Sequence, residues 1–401
     1  LVPIIDPNAS YDHSGPHGVK SVMGLTSKDP VARQQEARSK KPGFGKSGRI
    51  TLDRAALLSF EEQLPAHSKR RAFVRNLRNK RKRDTGVNYL VSYRRFWKHV
   101  AQEWYVLHPS LNATGTHTLR MSSNNPNEQN ISKQEGFNLR YVFGPARGRE
   151  WWSLDAKNIE LRLPAYEAGE TEMVALFERP DDPPYYGSNH LLAFAILYPA
   201  LWKKYGVSVK KKFASAEYQW VKNGNFAVQY GAVEQSGTAD RAYHVEGAQK
   251  KMQARFRKIK QLNDRMIAEA QKRGSVETMP DKTVDTERGY PLQVPRSNWG
   301  GVLPTVPLNY HVQGTAMWWM AKAMVRCHEY LQGQEDCHLI MQIHDEMVFD
   351  FPAGRSWRMN LPKVRRLRRL MEEGGNDIGV PTPVSVTYHP ENWAEGEEIK
   401  V

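Results

Sequence analysis

Residues 340–351 read Ile-Met-Gln-Ile-His-Asp-Glu-Met-Val-Phe-Asp-Phe, two apolar runs joined through His344-Asp345-Glu346. Apolar runs of this length with a polar break between them predict two buried strands and a tight turn. Two acids fall where the turn should be. A turn between buried strands is a rigid platform, and a rigid carboxylate there can hold a hard cation. A solvated turn acid is the plain alternative, so the hairpin by itself assigns no chemistry.

A second apolar run, Trp151-Trp152-Ser153-Leu154-Asp155, also ends in an acid and is followed at helical spacing by Ile159-Glu160-Leu161-Arg162. Two strand-end aspartates can converge on one site, and a pair of Mg²⁺ ions about 3.5–4 Å apart can clamp the attacking and leaving oxygens of a phosphoryl displacement. Between the two acids, residues 213–231 read as a helix closed by Gly231. Tyr218, Lys222, Phe226 and Tyr230 recur every fourth residue along it. From Lys222 to Tyr230 that stripe spans about 12 Å, the length of a nucleotide, so a lysine and two rings could line phosphates, sugar and base. A packing stripe facing a core remains open as the alternative.

These segments resemble motifs A, B and C of family A DNA polymerases, the DNA polymerase I group: residues 155–162 (Asp-Ala-Lys-Asn-Ile-Glu-Leu-Arg), 222–231 (Lys-Asn-Gly-Asn-Phe-Ala-Val-Gln-Tyr-Gly) and 342–346. Residues 120–131 resemble that family's Arg-Leu-Ser-Ser…Pro-Asn-Leu-Gln-Asn-Ile segment. Residues 274–278, 309–316, 380–384 and Asn392-Trp393 resemble others, so the likeness covers residues 50 to 400 or so. It implies an α/β (α+β) right-hand polymerase fold with an antiparallel palm sheet, helical fingers and a helical thumb. The expected divisions are a linker or extension at 1–48, thumb 49–106, palm 107–175 with motif A, fingers 176–308 with motif B, and palm 309–401 with motif C.

The resemblance also implies roles. Asp155 and Asp345 would hold two Mg²⁺ ions, with Mn²⁺ able to substitute. Glu346 would support them as a catalytic carboxylate. Lys222 would neutralise the triphosphate of the incoming dNTP and could protonate the leaving pyrophosphate. Phe226, Tyr230 and Glu160, the steric gate, would line the sugar and templating base, with Tyr218 and Asn158 completing the dNTP site. Arg120, Asn309 and Gln313 would contact the nascent pair and primer terminus from the minor groove, where acceptors allow shape to be checked without sequence preference, His344 would lie near the primer terminus, and Gln129 and Asn130 would bind primer–template.

The charge balance agrees. Lys and Arg outnumber Asp and Glu to give a formal net charge of +15, which points to a polyanionic partner. Nine of the fifteen residues from Lys69 to Arg83 are basic and none is acidic. Arg71, Arg75 and Arg78 would share a helix face suited to duplex phosphates, although a solvated basic segment has the same composition. Helical spacing from Thr51 is expected to run to Val106 or so. Residues 363–370, with Val364, Leu367 and Leu370 at helical spacing, read as an amphipathic packing helix.

Four residues before Lys222 the family usually has an arginine on the triphosphate, and here stands Tyr218, so the phosphate grip would be weaker or supplied elsewhere, by Lys210, Lys211 or Lys212. Tyr-Ser-Gln after the motif A aspartate is here Ala156-Lys157-Asn158, and the glycine before Arg120 is Leu119. These departures suggest a divergent, viral or phage branch. Cys327 and Cys337 are each followed by histidine, but their spacing fits zinc poorly and free thiols are expected. No run reaches the roughly 18–20 apolar residues of a membrane span, and no signal peptide opens the chain. The expectations are a soluble monomer in the cytoplasm or nucleoid of a bacterium or infected cell, an excised fragment or processed product that starts at Leu1, and no room for a proofreading or 5′ nuclease domain. A single-subunit RNA polymerase would have serine after the motif C aspartate. A reverse transcriptase on the same scaffold and an inert nucleic-acid-binding scaffold remain as rivals.

Overall fold

A computed structural model describes residues 57, 61 and 63–401, except 102–103, 114, 132, 135–136, 211–214, 230–237, 285–286 and 298–299. The expected extension at 1–48 and the motif B residues Tyr230 and Gly231 therefore lie outside the described residues. The chain separates into two compact units, one reaching to Trp97 and joined by 134–137, the other formed by 98–133 and 138–401.

In the first unit the basic run forms helix α1, Lys69–Arg94, opened by Ser68, whose hydroxyl accepts the Arg71 amide at 3.1 Å. The helix stops twelve residues short of Val106. The second unit opens instead with two short strands, β1 (Lys98–Ala101) and β2 (Trp104–Val106), paired antiparallel. The expectation of helix to Val106 is corrected here, and the density of aromatic and β-branched residues in 97–106 is the reason.

In the second unit β3 (Ser110–Asn112) and β4 (Ser122–Asn124) pair around the turn that carries Arg120. Strand β5 (Arg149–Ala156) leads to helix α2 (Ile159–Ala168). Then follow α3 (Thr171–Glu178), α4 (Asn189–Leu197), α5 (Pro199–Tyr205), a 3₁₀ turn at Gly206–Lys210, α6 (Ser215–Gln229), α7 (Thr238–Tyr243), α8 (Ala248–Arg255) and α9 (Arg257–Arg273). A hairpin of β6 (Ser275–Glu277) and β7 (Pro291–Gln293) precedes the long α10 (Pro307–Gln332). The chain closes with β8 (His338–Ile343), β9 (Glu346–Pro352), α11 (Leu361–Ile378), β10 (Val384–His389) and β11 (Glu397–Glu398).

The main sheet runs β8-β9-β5-β10-β11, antiparallel throughout, with β5 at its centre. Side chains alternate between faces along a strand. Trp152, Leu154 and Ala156 of β5 and Met347, Phe349 and Phe351 of β9 therefore enter one core, with Trp319, Met320 and Ala323 of α10 and Val364, Leu367 and Met371 of α11. Asp155 falls on the opposite face. A second core holds Phe177, Leu191, Phe194, Val221, Tyr243, Met252 and Phe256. Helix α2 belongs to both, sending Ile159 and Leu163 into the first core and Leu161 and Ala165 into the second. As expected, Val364, Leu367 and Leu370 are buried in α11.

Phe349 is fully buried at the centre of the first core. Phe349→Ala is expected to lower unfolding stability by about 3–5 kcal/mol through lost transfer energy and a cavity, read as a lower denaturant midpoint at unchanged slope.

Candidate active site

The hairpin is as tight as the sequence suggests: Ile343 pairs with Glu346, leaving His344 and Asp345 as a two-residue turn. His344 takes φ 57°, the left-handed region that such turns require. One acid is in the turn, not two, because Glu346 is the first residue of β9, directly opposite Asp155 of β5. The Ala156 amide donates to the Asp345 carbonyl at 3.1 Å, which stitches the turn to the end of β5. Asp155 and Asp345 thus end neighbouring strands, and Ser385 of β10 donates its hydroxyl to the Asp155 carbonyl at 3.1 Å.

Glu346 is taken up by other partners. Both its oxygens face the Arg140 guanidinium, at 3.1 and 3.5 Å, and Trp393 Nε1 donates to it at 3.2 Å. The guanidinium lies 3.6 Å from the centre of the Trp393 ring. Removing one partner of such a buried pair strands the other charge, at a cost of about 3–5 kcal/mol. Glu346 is therefore a structural support in this arrangement. Among the described residues Asp345 forms no such ion pair: Arg120 and Arg140 pair instead with Glu160 and Glu346. Burial, with Glu160 and Glu346 close by, holds the Asp345 carboxyl above the ordinary carboxylate range. Burial and the Arg120 charge hold His344 below the usual imidazole value.

Arg120 ion-pairs with Glu160 on the first turn of α2, beside this turn. Leu119, where the resemblance led one to expect glycine, takes φ 62°. A non-glycine residue there costs about 1–2 kcal/mol, so the turn presenting Arg120 is imposed by its surroundings. Gln129 donates to Gln342 Oε1 at 3.3 Å, and Gln342 Nε2 donates to the His344 carbonyl at 2.6 Å. This joins the Gln129 segment to the carboxylate turn; Asn130 is exposed. Asn158 is exposed in the left-handed region at the start of α2 and makes no side-chain cap. Asn309 and Gln313 lie half-buried, one turn apart on α10.

On α6, Tyr218, Lys222 and Phe226 follow the expected spacing. The Tyr218 hydroxyl bonds to Ser188, and its ring lies 6.3 Å from that of Phe194. Tyr218 is a half-buried residue packed against the second core. A histidine that sequence reasoning missed, His190 at the start of α4, lies 5.8 Å ring to ring from Phe226. Its Nδ1 accepts from Asn225 Nδ2 at 2.9 Å, and Asn225 Oδ1 accepts from the Tyr243 hydroxyl at 2.8 Å. The proton consequently sits on Nε2, pointing away from this network. Burial, then the charges of Lys222 and Lys210, push its pKa down to about 4. Gly224 permits the arrangement, because a Cβ there would lie 2.2 Å from the Tyr243 ring. No spacing rule links residues 190, 225 and 243; only Lys222 stood out in the sequence.

The three arginines expected on phosphate are engaged within the first unit. Arg75 and Arg78 ion-pair with Glu61 at 2.9 and 3.1 Å, and Arg71 donates to the Leu64 carbonyl at 3.2 Å. They hold α1 to the segment before it, while Lys69, Arg70 and Arg83 are exposed. Both cysteines are buried free thiols. Among the described residues no helix is long and apolar enough to cross a membrane, and no group of three or more His, Cys, Asp or Glu could hold a metal.

Comparison with known proteins follows this geometry. The family model for DNA polymerase family A matches residues 46–395. Over 298 residues the chain is 28% identical to the thermostable DNA polymerase I of Thermus aquaticus, an alignment covering 73% of this chain and 33% of the relative. It is 28% identical over 296 residues to DNA polymerase I of Chloroflexus aurantiacus, covering 72% and 29%. The chain thus spans about a third of the length of these relatives. The fold is similar to that of the Pol domain of Pol1 from M. smegmatis, solved in complex with DNA primer-template and dNTP, at TM-score 0.69 and 21% identity, covering 94% of this chain and 63% of that one.

Glu128 stands in the Gln129 segment where the resembling sequence has leucine, and it is 7% exposed. Burial raises its carboxyl from 4.5 to about 7. An acid whose folded pKa is raised favours the fold below its ordinary value and loses that favour as pH rises toward the folded value. Glu128→Gln should therefore match the parent in stability near pH 4 and exceed it increasingly up to pH 7 and beyond. Urea unfolding across that range reads the divergence.

Proposed function

The chain belongs to DNA polymerase family A, and we propose that it catalyses template-directed DNA synthesis, adding deoxynucleotides to the 3′-hydroxyl of a primer. The observation that carries this reading is the placement of Asp155 and Asp345 on neighbouring strand ends of one rigid sheet. Asp345 is a half-buried carboxyl that forms no ion pair among the described residues, which suits it to a hard cation. Mg²⁺ takes one or two carboxylates and completes its shell with water and substrate phosphate oxygens, so a carboxylate pair suffices without a larger protein cluster. Asp155 and Asp345 would hold the ions, with Mn²⁺ an acceptable substitute. When bound, they would make the 3′-hydroxyl a better nucleophile and stabilise charge on the departing pyrophosphate.

The chain's own residues supply the rest. Lys222, with the His190 Nε2 proton and Lys210 nearby, forms a cationic end suited to a triphosphate, and this answers the missing arginine at Tyr218. Phe226 offers its face to the sugar, and Tyr230 is assigned to the templating base by resemblance alone. Glu160, held by Arg120, closes the space where a ribose 2′-hydroxyl would sit. Gln129 braces the turn beneath the primer terminus, with Asn130, His344, Asn309 and Gln313 as minor-groove contacts. Duplex phosphates fall to the exposed cations of α1, Lys69, Arg70 and Arg83, while Arg71, Arg75 and Arg78 keep the helix in place. Proofreading forms no part of the proposal.

Primer extension on a recessed duplex tests the reading. Extension with dNTPs, lost by about 10³-fold or more in Asp345→Ala at retained thermal stability, is the expected result. Extension with rNTPs alone would move the assignment to RNA synthesis, and duplex binding without extension by the parent chain would overturn it.

A further inference from the structure

His311 lies on α10 midway between Asn309 and Gln313 and is 3% exposed. At about 100° per residue, Asn309 and Gln313 share a helix face and His311 points to the opposite side. There its two ring nitrogens meet two different elements. Nδ1 is 2.5 Å from the Glu277 carbonyl at the end of β6, and Nε2 abuts the Glu167 carboxylate at the end of α2. A backbone carbonyl can only accept. Arg265 of α9 donates to the other Glu167 oxygen at 2.7 Å. A neutral imidazole has a single N–H and could serve one of these contacts, not both.

We propose that His311 is a positioning residue: a buried imidazolium that clamps α10 to α2 and β6 and thereby fixes Asn309 and Gln313 relative to the strand-end carboxylates. The proposal rests on the reading of Asn309 and Gln313 as primer contacts. The groups facing the ring are few. Helix α2 contributes Glu167, α9 contributes Arg265, and β6 contributes the Glu277 carbonyl, the Glu277 carboxylate being occupied by Arg273 and Arg288. On α10 itself the Thr315 hydroxyl donates to the His311 carbonyl at 2.7 Å and accepts the Met279 amide at 2.9 Å. A second link therefore ties the same turn to the segment after β6. Burial opposes charge on His311, but the hydrogen bond and charge of Glu167 outweigh it and raise the pKa. By sign, the clamp is whole at low pH and is lost as pH climbs through that raised value.

The ring lies on the same helix as the proposed primer contacts but touches no substrate, so the expected signature separates primer from nucleotide. His311→Gln and Glu167→Gln should each weaken primer–template affinity about tenfold in the full chain, equivalent to about 1.4 kcal/mol. The KM for dNTP should stay unchanged. His338→Gln, an exposed control on β8, should alter neither. Nitrogen-15 spectra of the parent chain should show both His311 nitrogens protonated at pH 7. Its primer affinity should decline with pH along the same titration, and the profile of His311→Gln should be flat. A neutral His311 at pH 7, or a Glu167→Gln variant with parental affinity and pH profile, overturns the proposal. Failure of the parent chain to extend primers would instead sink the functional reading, while the nitrogen spectra still decide the clamp.

Discussion

The arrangement depends on the pairing of β5 between β9 and β10. Because side chains alternate strictly along a strand, fixing Glu346 opposite Asp155 also fixes which residues enter the core. Trp152, Leu154, Met347 and Phe349 then pack on α10 and α11, while Asp155 is held on the other face. A slip of one residue would exchange the two sets. The register is locked at its functional end by the Ala156 amide on the Asp345 carbonyl, and beside it by Arg140, Glu346 and Trp393. The last three bind a segment before β5, the start of β9 and the chain end after β10 into one point.

Helix α2 carries that rigidity outward. Its residues alternate between the two cores, and its first turn holds Glu160 against Arg120 while its last holds Glu167 against His311 and Arg265. One helix thus relates the carboxylate turn, the helical subdomain with Lys222 and Phe226, and the face of α10 with Asn309 and Gln313. The nucleotide end is built differently, from a polar relay through Tyr243, Asn225 and His190 that runs behind α6 and needs Gly224 to admit a ring. Burial and the nearby charges of Lys222 and Lys210 keep the His190 imidazole neutral at the end of that relay.

Much of the sheet and its acids was legible beforehand. The hairpin around Asp345, the strand ending at Asp155 and the helical spacing at 159–162 and 363–370 followed from periodicity, since each is a local pattern with one buried face. The errors have local causes too. The helix expected to reach Val106 yields to strands where aromatic and β-branched residues cluster. Tyr218 shares the spacing of Lys222 and Phe226, and its contacts with Ser188 and Phe194 are ones that spacing does not encode. Arg71, Arg75 and Arg78 looked free because Glu61 and Leu64 were not visible as partners.

The sequence by itself determined which residues alternate, where acids end strands, and that the chain carries the ordered motifs of a polymerase family. These are properties of neighbours along the chain, set by strand and helix periods. Tertiary structure alone decided that Glu346 is neutralised by Arg140 while Asp345 is not, that His190 joins the lysine site, and that His311 is enclosed by two acceptors. Each outcome depends on groups far apart in sequence meeting in a low-dielectric interior, where burial and a single partner determine whether a side chain is charged, and no local pattern encodes that meeting.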